Sequence, residues 1–208
     1  MRLIDISVTT APATPEWPGD TPFSCGWAWD MSAGASVNVS TITMSPHVGT
    51  HADAPIHVTS NGAGADRLPL DAFYGPAVVA DLSALTGEID LEQLREIIGP
   101  AIPARLLLKT GRTIATGHFP EQWPALSPSC ATHLAEGGLR LLGVDAPSVD
   151  DRESKTLDVH HALFGNGATV IENLDLSAVA PGTYTLHAFP AKFGGLDAAP
   201  VRAVLSLP

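Results

Sequence analysis

Residues 45–57, Ser-Pro-His-Val-Gly-Thr-His-Ala-Asp-Ala-Pro-Ile-His, carry three of the chain's eight histidines and one aspartate. His47, His51, Asp53 and His57 all fall on odd positions. Neutral imidazole and carboxylate are ordinary ligands of a divalent transition metal, and three protein ligands with one open position make a catalytic site. In a strand the four side chains would share a face. At about 3.3 Å per residue, however, His47 and His51 would stand about 13 Å apart. Ligand bonds of about 2 Å cannot bridge that gap. The backbone must therefore turn between them, and Gly49 is the residue that allows it. His51 and Asp53 need no bend. A helix opened by Ser45-Pro46 would also put His47 and His51 on one face. Gly49, β-branched Thr50 and Pro55 all oppose it, so a strand feeding a bent loop is the preferred reading. His47, His51 and Asp53 read as ligands. His57 reads as a further ligand or as a general acid/base held beside the metal.

The elements that must position this segment can be read from periodicity. Residues 1–6 read as a strand, followed by a proline-rich loop that carries Trp17. The alternation over 37–44 predicts a strand leading into the His/Asp segment. Strands are also predicted at 78–82, 105–109, 139–144, 169–172, 183–189 and 201–207. Asp90 with Gln93 forms a capping-box pattern that predicts a helix through Ile98, stopped by Gly99-Pro100. Ser127-Pro128 predicts a second helix ending at Gly137-Gly138, and Asp158 a short third one holding His160 and His161. The chain of 208 residues predicts a single α/β domain, 1–208, with a central mixed sheet flanked by helices.

A dication enclosed by one bent segment needs ligands from elsewhere. Glu172 is the best distant candidate, because it ends the apolar strand Thr169-Val170-Ile171, where an unpaired charge would be costly. Adjacent His160 and His161 point in different directions, so at most one faces the site, and spacing does not choose between them. His118, His133 and His187 lie apart from any cluster and read as structural or surface residues. Lys192 reads as solvated. Neither a nucleophile elbow nor a nucleotide-binding glycine loop is present, which leaves metal-assisted hydrolysis.

Bulk properties narrow the field further. Apolar residues make up 45% and charged residues 16% of the chain, as in a folded globule. A net charge of −11 argues against nucleic acid as a partner. No apolar run approaches the about 20 residues of a membrane span. Cys25 and Cys130 do not suggest a disulfide framework. A cytoplasmic location is the expectation. The 18 prolines and 19 glycines indicate many loops between short elements.

The segment resembles the His-x-Gly-Thr-His-x-Asp-x-Pro-x-His signature of the metal-dependent cyclase family. Residues 17–23, 143–150, 157–161, 171–176 and 200–203 extend the likeness, and the Trp17 loop and overall length point to its bacterial kynurenine formamidase (arylformamidase) branch. The resemblance implies hydrolysis of N-formyl-L-kynurenine to L-kynurenine and formate in tryptophan degradation. It implies two divalent metal ions, usually zinc, with manganese as an alternative, and a homodimer acting on a small molecule. By the same resemblance His47 and His51 bind the first metal and His160 the second, with Asp53 and Glu172 shared. His57 becomes the catalytic acid/base and Trp17 packs against the substrate ring. The alternatives are a hydrolase of a cyclic amide such as isatin or of a lactone, and a non-catalytic metal-binding protein.

Overall fold

The computed structural model describes residues 2–207. Met1, included in the predicted first strand, and Pro208, the end of the predicted domain, lie outside the described residues. In chain order the strands are β1 (Leu3–Asp5), β2 (Ser24–Trp29), β3 (Val39–Thr43), β4 (His51–Asp53), β5 (Tyr74–Asp81), β6 (Glu88–Ile89) and β7 (Arg105–Lys109). They continue with β8 (Ala125–Leu126), β9 (Leu141–Val144), β10 (Thr169–Glu172), β11 (Gly182–His187), β12 (Ala198–Pro200) and β13 (Val204–Ser206). The helices are α1 (Leu91–Ile98), α2 (Pro128–Glu136) and α3 (Asp158–Gly165).

Nine strands form one mixed sheet in the order β1-β13-β11-β5-β7-β9-β10-β4-β12. Its middle, β5-β7-β9-β10, is parallel, and antiparallel strands extend it on both sides. The sheet curls. Two residues beyond β1, Ser7 bridges Leu174 just past β10, and Asp175 N–H donates to Ile6 O at 2.8 Å.

Alternation along the strands sorts the core into two layers. Leu107, Leu141 and Ile171 point into the curl with Ile6, Ala52, Phe73 and Leu205. Leu106, Leu108, Leu142 and Val170 point the other way, against α1, α2 and α3. The three helices thus cover one face, and the curl closes the other on itself. The central strands are buried on both sides, which is why they read as continuous apolar runs such as Leu106-Leu107-Leu108.

The α1 capping box forms as the sequence predicts: Asp90 accepts from Gln93 N–H while Gln93 accepts from Asp90 N–H. Ser127 caps α2 with Pro128 in its first turn. The strand expected over 37–44 forms as β3 and runs into the His/Asp segment, but it pairs only with β2, in a separate, exposed two-stranded sheet. That alternation therefore marks a ribbon with no buried face. Two expectations need correction. Within 47–57 the order is reversed. The turn comes first, through 46–50, the strand is only His51–Asp53, and Pro55–His57 is a single 3-10 turn. Asp158 does not cap α3 either. It is the first helical residue, Leu157 sits at the cap with φ 51°, and no side chain at the cap position serves the helix.

Candidate metal centre

Strand register brings the site together. β10 runs antiparallel to β4 with Glu172 opposite His51 and Val170 opposite Asp53. Ile171 and Ala52 enter the curled core, so Glu172, His51 and Asp53 face the helix side together. Gly49, at φ +75°, turns the chain so that His47 folds back over His51. The gap of about 13 Å expected for a straight strand closes to 3.1 Å between His47 Nδ1 and His51 Nε2. α3 supplies His160, which is buried, whereas His161 on the same helix is exposed.

The donor atoms form two trios joined by Asp53. In the first, His47 Nδ1 lies 3.1 Å and His51 Nε2 3.3 Å from Asp53 Oδ1. In the second, His160 Nε2 lies 3.2 Å from Asp53 Oδ2 and 3.3 Å from Glu172 Oε1. Glu172 Oε2 also reaches to 3.6 Å from His51 Nε2, so both carboxylates span the two trios. Tetrahedral ligands about 2.0–2.1 Å from one metal are about 3.3–3.4 Å from each other, so these edges match a metal shell. A second observation agrees. Asp53 is fully buried, yet its Oδ1 has no hydrogen-bond partner although two imidazole nitrogens crowd it. An unpaired buried carboxylate oxygen is costly, and a cation would satisfy it. The donor set fits a divalent metal.

The ring nitrogens that face away from the donors are each engaged. His51 Nδ1 donates to Gly49 O at 2.9 Å, leaving the Nε2 lone pair facing the cluster, where it could bind a metal. His160 Nδ1 meets Asp150 Oδ2 at 2.6 Å, again leaving Nε2. His47 is turned the other way: its Nε2 meets Asp197 Oδ2 at 3.0 Å, and Nδ1 faces the cluster. Asp150 also accepts from the N–H groups of Val159 and His160, and so caps α3 from eight residues before its start. Asp150 and Asp197 were not among the candidates from sequence. Asp150 gave no signal, because Asp158 reads as the cap of this helix in the sequence and the missing local cap shows only in the fold. Asp197 follows Gly194-Gly195 in an exposed loop, and nothing local marks it.

Without metal the cluster holds protons where a dication would carry the charge. Burial disfavours the charged form of His47, but Asp197 and Asp53 outweigh it and raise its pKa to about 10. Burial likewise opposes charge on His160, and Asp150, Asp53 and Glu172 overcome it, so its pKa is well above the usual value. Asp53 is held well below the carboxylate range, because the surrounding histidines outweigh its burial. His57 differs. Burial lowers its pKa, and although Asp53 opposes this, His47 and His160 add to the lowering.

The predicted site residues border one cleft of about 340 Å3, in the range of small-molecule sites. Its lining includes Trp17, His47, His51, His57, His160 and Glu172; Asp53 lies buried behind them. The His57 ring lies 4.5 Å from that of His47 between centroids, tilted at 45° to it. His57 also lies close enough to His47 and Asp53 for the three to hold a metal ion together. Trp17 is 38% exposed and packs edge-on against Phe119 and Trp123, at 5.5 and 6.1 Å between ring centroids. It is at once an anchor for its loop and a wall of the cleft. Phe119, Ser148 and Asn173 are lining residues the sequence reading did not single out. Lys192, by contrast, is exposed and outside the lining. His118 is exposed, His133 bonds Arg95 and His187 bonds Ser206, all away from the cleft.

The likeness to known proteins extends along the whole fold. One solved structure, described as a "potential metal-dependent hydrolase with cyclase activity", superposes with a TM-score of 0.84 at 26% identity, over 98% of this chain and 96% of that one. A second, a "predicted metal-dependent hydrolase" from Bacillus stearothermophilus, gives 0.83 at 28% identity, over 98% and 97%. Isatin hydrolase A from Labrenzia aggregata shares the fold, with a TM-score of 0.81 at 24% identity over 99% and 93%. The Cyclase family model matches residues 4–151, which include the whole His/Asp segment and end before His160 and Glu172. By that match the chain belongs to the cyclase family.

Proposed function

We propose that the protein is a metal-dependent arylformamidase that hydrolyses N-formyl-L-kynurenine to L-kynurenine and formate. The observation that carries this reading is the convergence on one cleft of a five-residue donor set, an aromatic wall and His57. In it His47, His51, Asp53, His160 and Glu172 hold two divalent ions, zinc or manganese. Metal bound there would supply a Lewis acid and an acidified water.

The chain's own residues do the rest. His57 is held neutral near pH 7 by its lowered pKa, so it can take up a proton during attack on the formyl carbon. It then hands that proton to the anilide nitrogen as the C–N bond breaks, because an anilide anion is a poor leaving group. Trp17 and Phe119 give the substrate ring an apolar surface and exclude water from that side. A cleft that fits a formyl group closely would reject larger acyl groups.

A second reading, hydrolysis of a cyclic amide, is favoured by the isatin hydrolase that shares the fold. Turnover by metal-stripped and metal-reconstituted protein on N-formyl-L-kynurenine and on isatin separates the two. Arylformamidase activity requires metal-dependent turnover of the first at a higher kcat/KM than the second. A preference for isatin selects the second reading, and turnover of neither leaves a metal-binding protein.

The reading includes a homodimer and a cytoplasmic setting. Support for the dimer is the β2–β3 hairpin, whose Trp27, Trp29 and Ile42 are 58–61% exposed, an apolar surface of the kind partners cover. Light scattering checks it: a monomer at micromolar concentration contradicts it. Both cysteines are free, as a reducing compartment would keep them.

A further inference from the structure

Asp197 touches two histidines that the reading above gives different tasks. Its Oδ2 lies 3.0 Å from His47 Nε2 and 3.8 Å from His57 Nδ1. The carboxylate is held there by the fold. Ala54 N–H donates to Asp197 O at 2.8 Å, and the next residue, Ala198, pairs with Asp53 in the β12–β4 register. The loop before it is fixed by Ala65 N–H to Leu196 O at 2.8 Å and by Gly195 N–H to Asp66 at 2.9 Å. Asp197 therefore arrives at the cleft from a backbone tied on both sides.

Its position explains why His47 is turned differently from the other two candidate ligand histidines. An imidazole that donates from Nε2 has its lone pair on Nδ1, and Nδ1 is the His47 atom that faces His51 and Asp53. The same carboxylate oxygen lies 3.8 Å from His57 Nδ1, beyond hydrogen-bond reach but close enough to act through its charge, and Nε2 is the ring nitrogen left to exchange a proton with substrate. When His57 takes up a proton it becomes an imidazolium beside a carboxylate. When it gives that proton to the leaving nitrogen it returns to neutral. Asp197 stays ionised throughout.

We propose that Asp197 is a positioning residue serving both histidines: it fixes His47 in the tautomer that presents Nδ1, and its charge, facing His57 Nδ1, stabilises the protonated His57 ring. This rests on the metal and acid/base assignments above. The test uses full-length Asp197→Ala and Asp197→Asn, with zinc affinity measured by chelator competition and kcat and KM measured on whichever amide the wild type hydrolyses. Asp197→Ala should weaken zinc binding by about 10–100-fold, as loss of a carboxylate behind a ligand histidine does, and should also lower kcat. Asp197→Asn keeps an oxygen to accept from His47 Nε2–H but loses the charge. It should return zinc affinity to within a few-fold of wild type while kcat stays low and KM is unchanged. A merely structural residue would not split the two readouts. Wild-type zinc affinity in Asp197→Ala overturns the role toward His47, and wild-type kcat in Asp197→Asn overturns the role toward His57. The zinc measurement needs no substrate, so failure of the proposed reaction leaves it readable.

Discussion

The turn at Gly49 is what makes four odd-numbered positions into a site, and its replacement is calculable. In Gly49→Ala the new Cβ would sit on a backbone of φ +75° and press inside contact distance of Thr10 Oγ1. Holding a residue with a Cβ in the left-handed region costs about 1–2 kcal/mol. Turning Thr10 off its rotamer to relieve the contact adds about 0.5–1.5 kcal/mol. The sum, about 1.5–3.5 kcal/mol, corresponds to a melting temperature lower by about 3–14 °C at about 2–4 °C per kcal/mol for a chain of this size. A double-mutant cycle separates the two contributions. Thr10→Ala removes the oxygen and leaves the Thr10 Cβ at 3.5 Å, an ordinary contact. In that background Gly49→Ala should recover the side-chain part of the loss and keep the backbone part. Calorimetry reads the stability, and zinc competition on the same samples should show weakened binding as His47 is displaced. Unchanged melting temperature and zinc affinity in Gly49→Ala would refute the claim that this bend positions the ligands.

Three further outcomes are expected. His57→Ala should retain its metal and lose about 10²–10⁴ in kcat, the usual contribution of an acid/base group; loss of metal would make His57 a ligand, and near-normal kcat would remove it from the reaction. Trp17→Ala should lower kcat/KM several-fold on the aromatic substrate, since an aromatic pair is worth about 0.5–1.5 kcal/mol beyond burial. It should leave small aliphatic formamides little affected, whereas an equal loss on both would make Trp17 purely an anchor. Zinc affinity should rise with pH. Metal must displace the protons that His47 keeps up to about pH 10 and that His160 also keeps above the usual range. Between pH 6 and 8 the dissociation constant should fall by up to about tenfold per unit for each proton displaced. A flat profile by chelator competition would contradict those charge states.

Much of this site was legible because its donors lie in a few residues whose spacing is geometric. The period of two put His51 and Asp53 on one face, and the need for a bend singled out Gly49. Glu172 announced itself as a carboxylate ending an apolar strand. The choice of His160 over His161 came from the family resemblance, and it is His160 that faces the cluster while His161 is exposed. What escaped was non-local. The cap of α3 comes from Asp150, and the partner of His47 is 150 residues away, so neither has a signature in its own neighbourhood. In the fold, β7 and β10 were readable to the residue because both faces of each are buried. The two-residue β6 and β8 carry too few positions to show any period. The strand expected over 37–44 is there as β3, but its alternation could not show that both its faces would be exposed in a two-stranded sheet with β2.

The most direct test of the central claim is an anomalous-scattering map of a crystal grown with zinc. Two peaks per chain are expected, roughly 3.5–4 Å apart as in bridged two-metal sites. One should lie against His47 Nδ1, His51 Nε2 and Asp53 Oδ1, and the other against His160 Nε2, Glu172 and Asp53 Oδ2. A single peak at saturating zinc, or peaks away from Asp53, would contradict it.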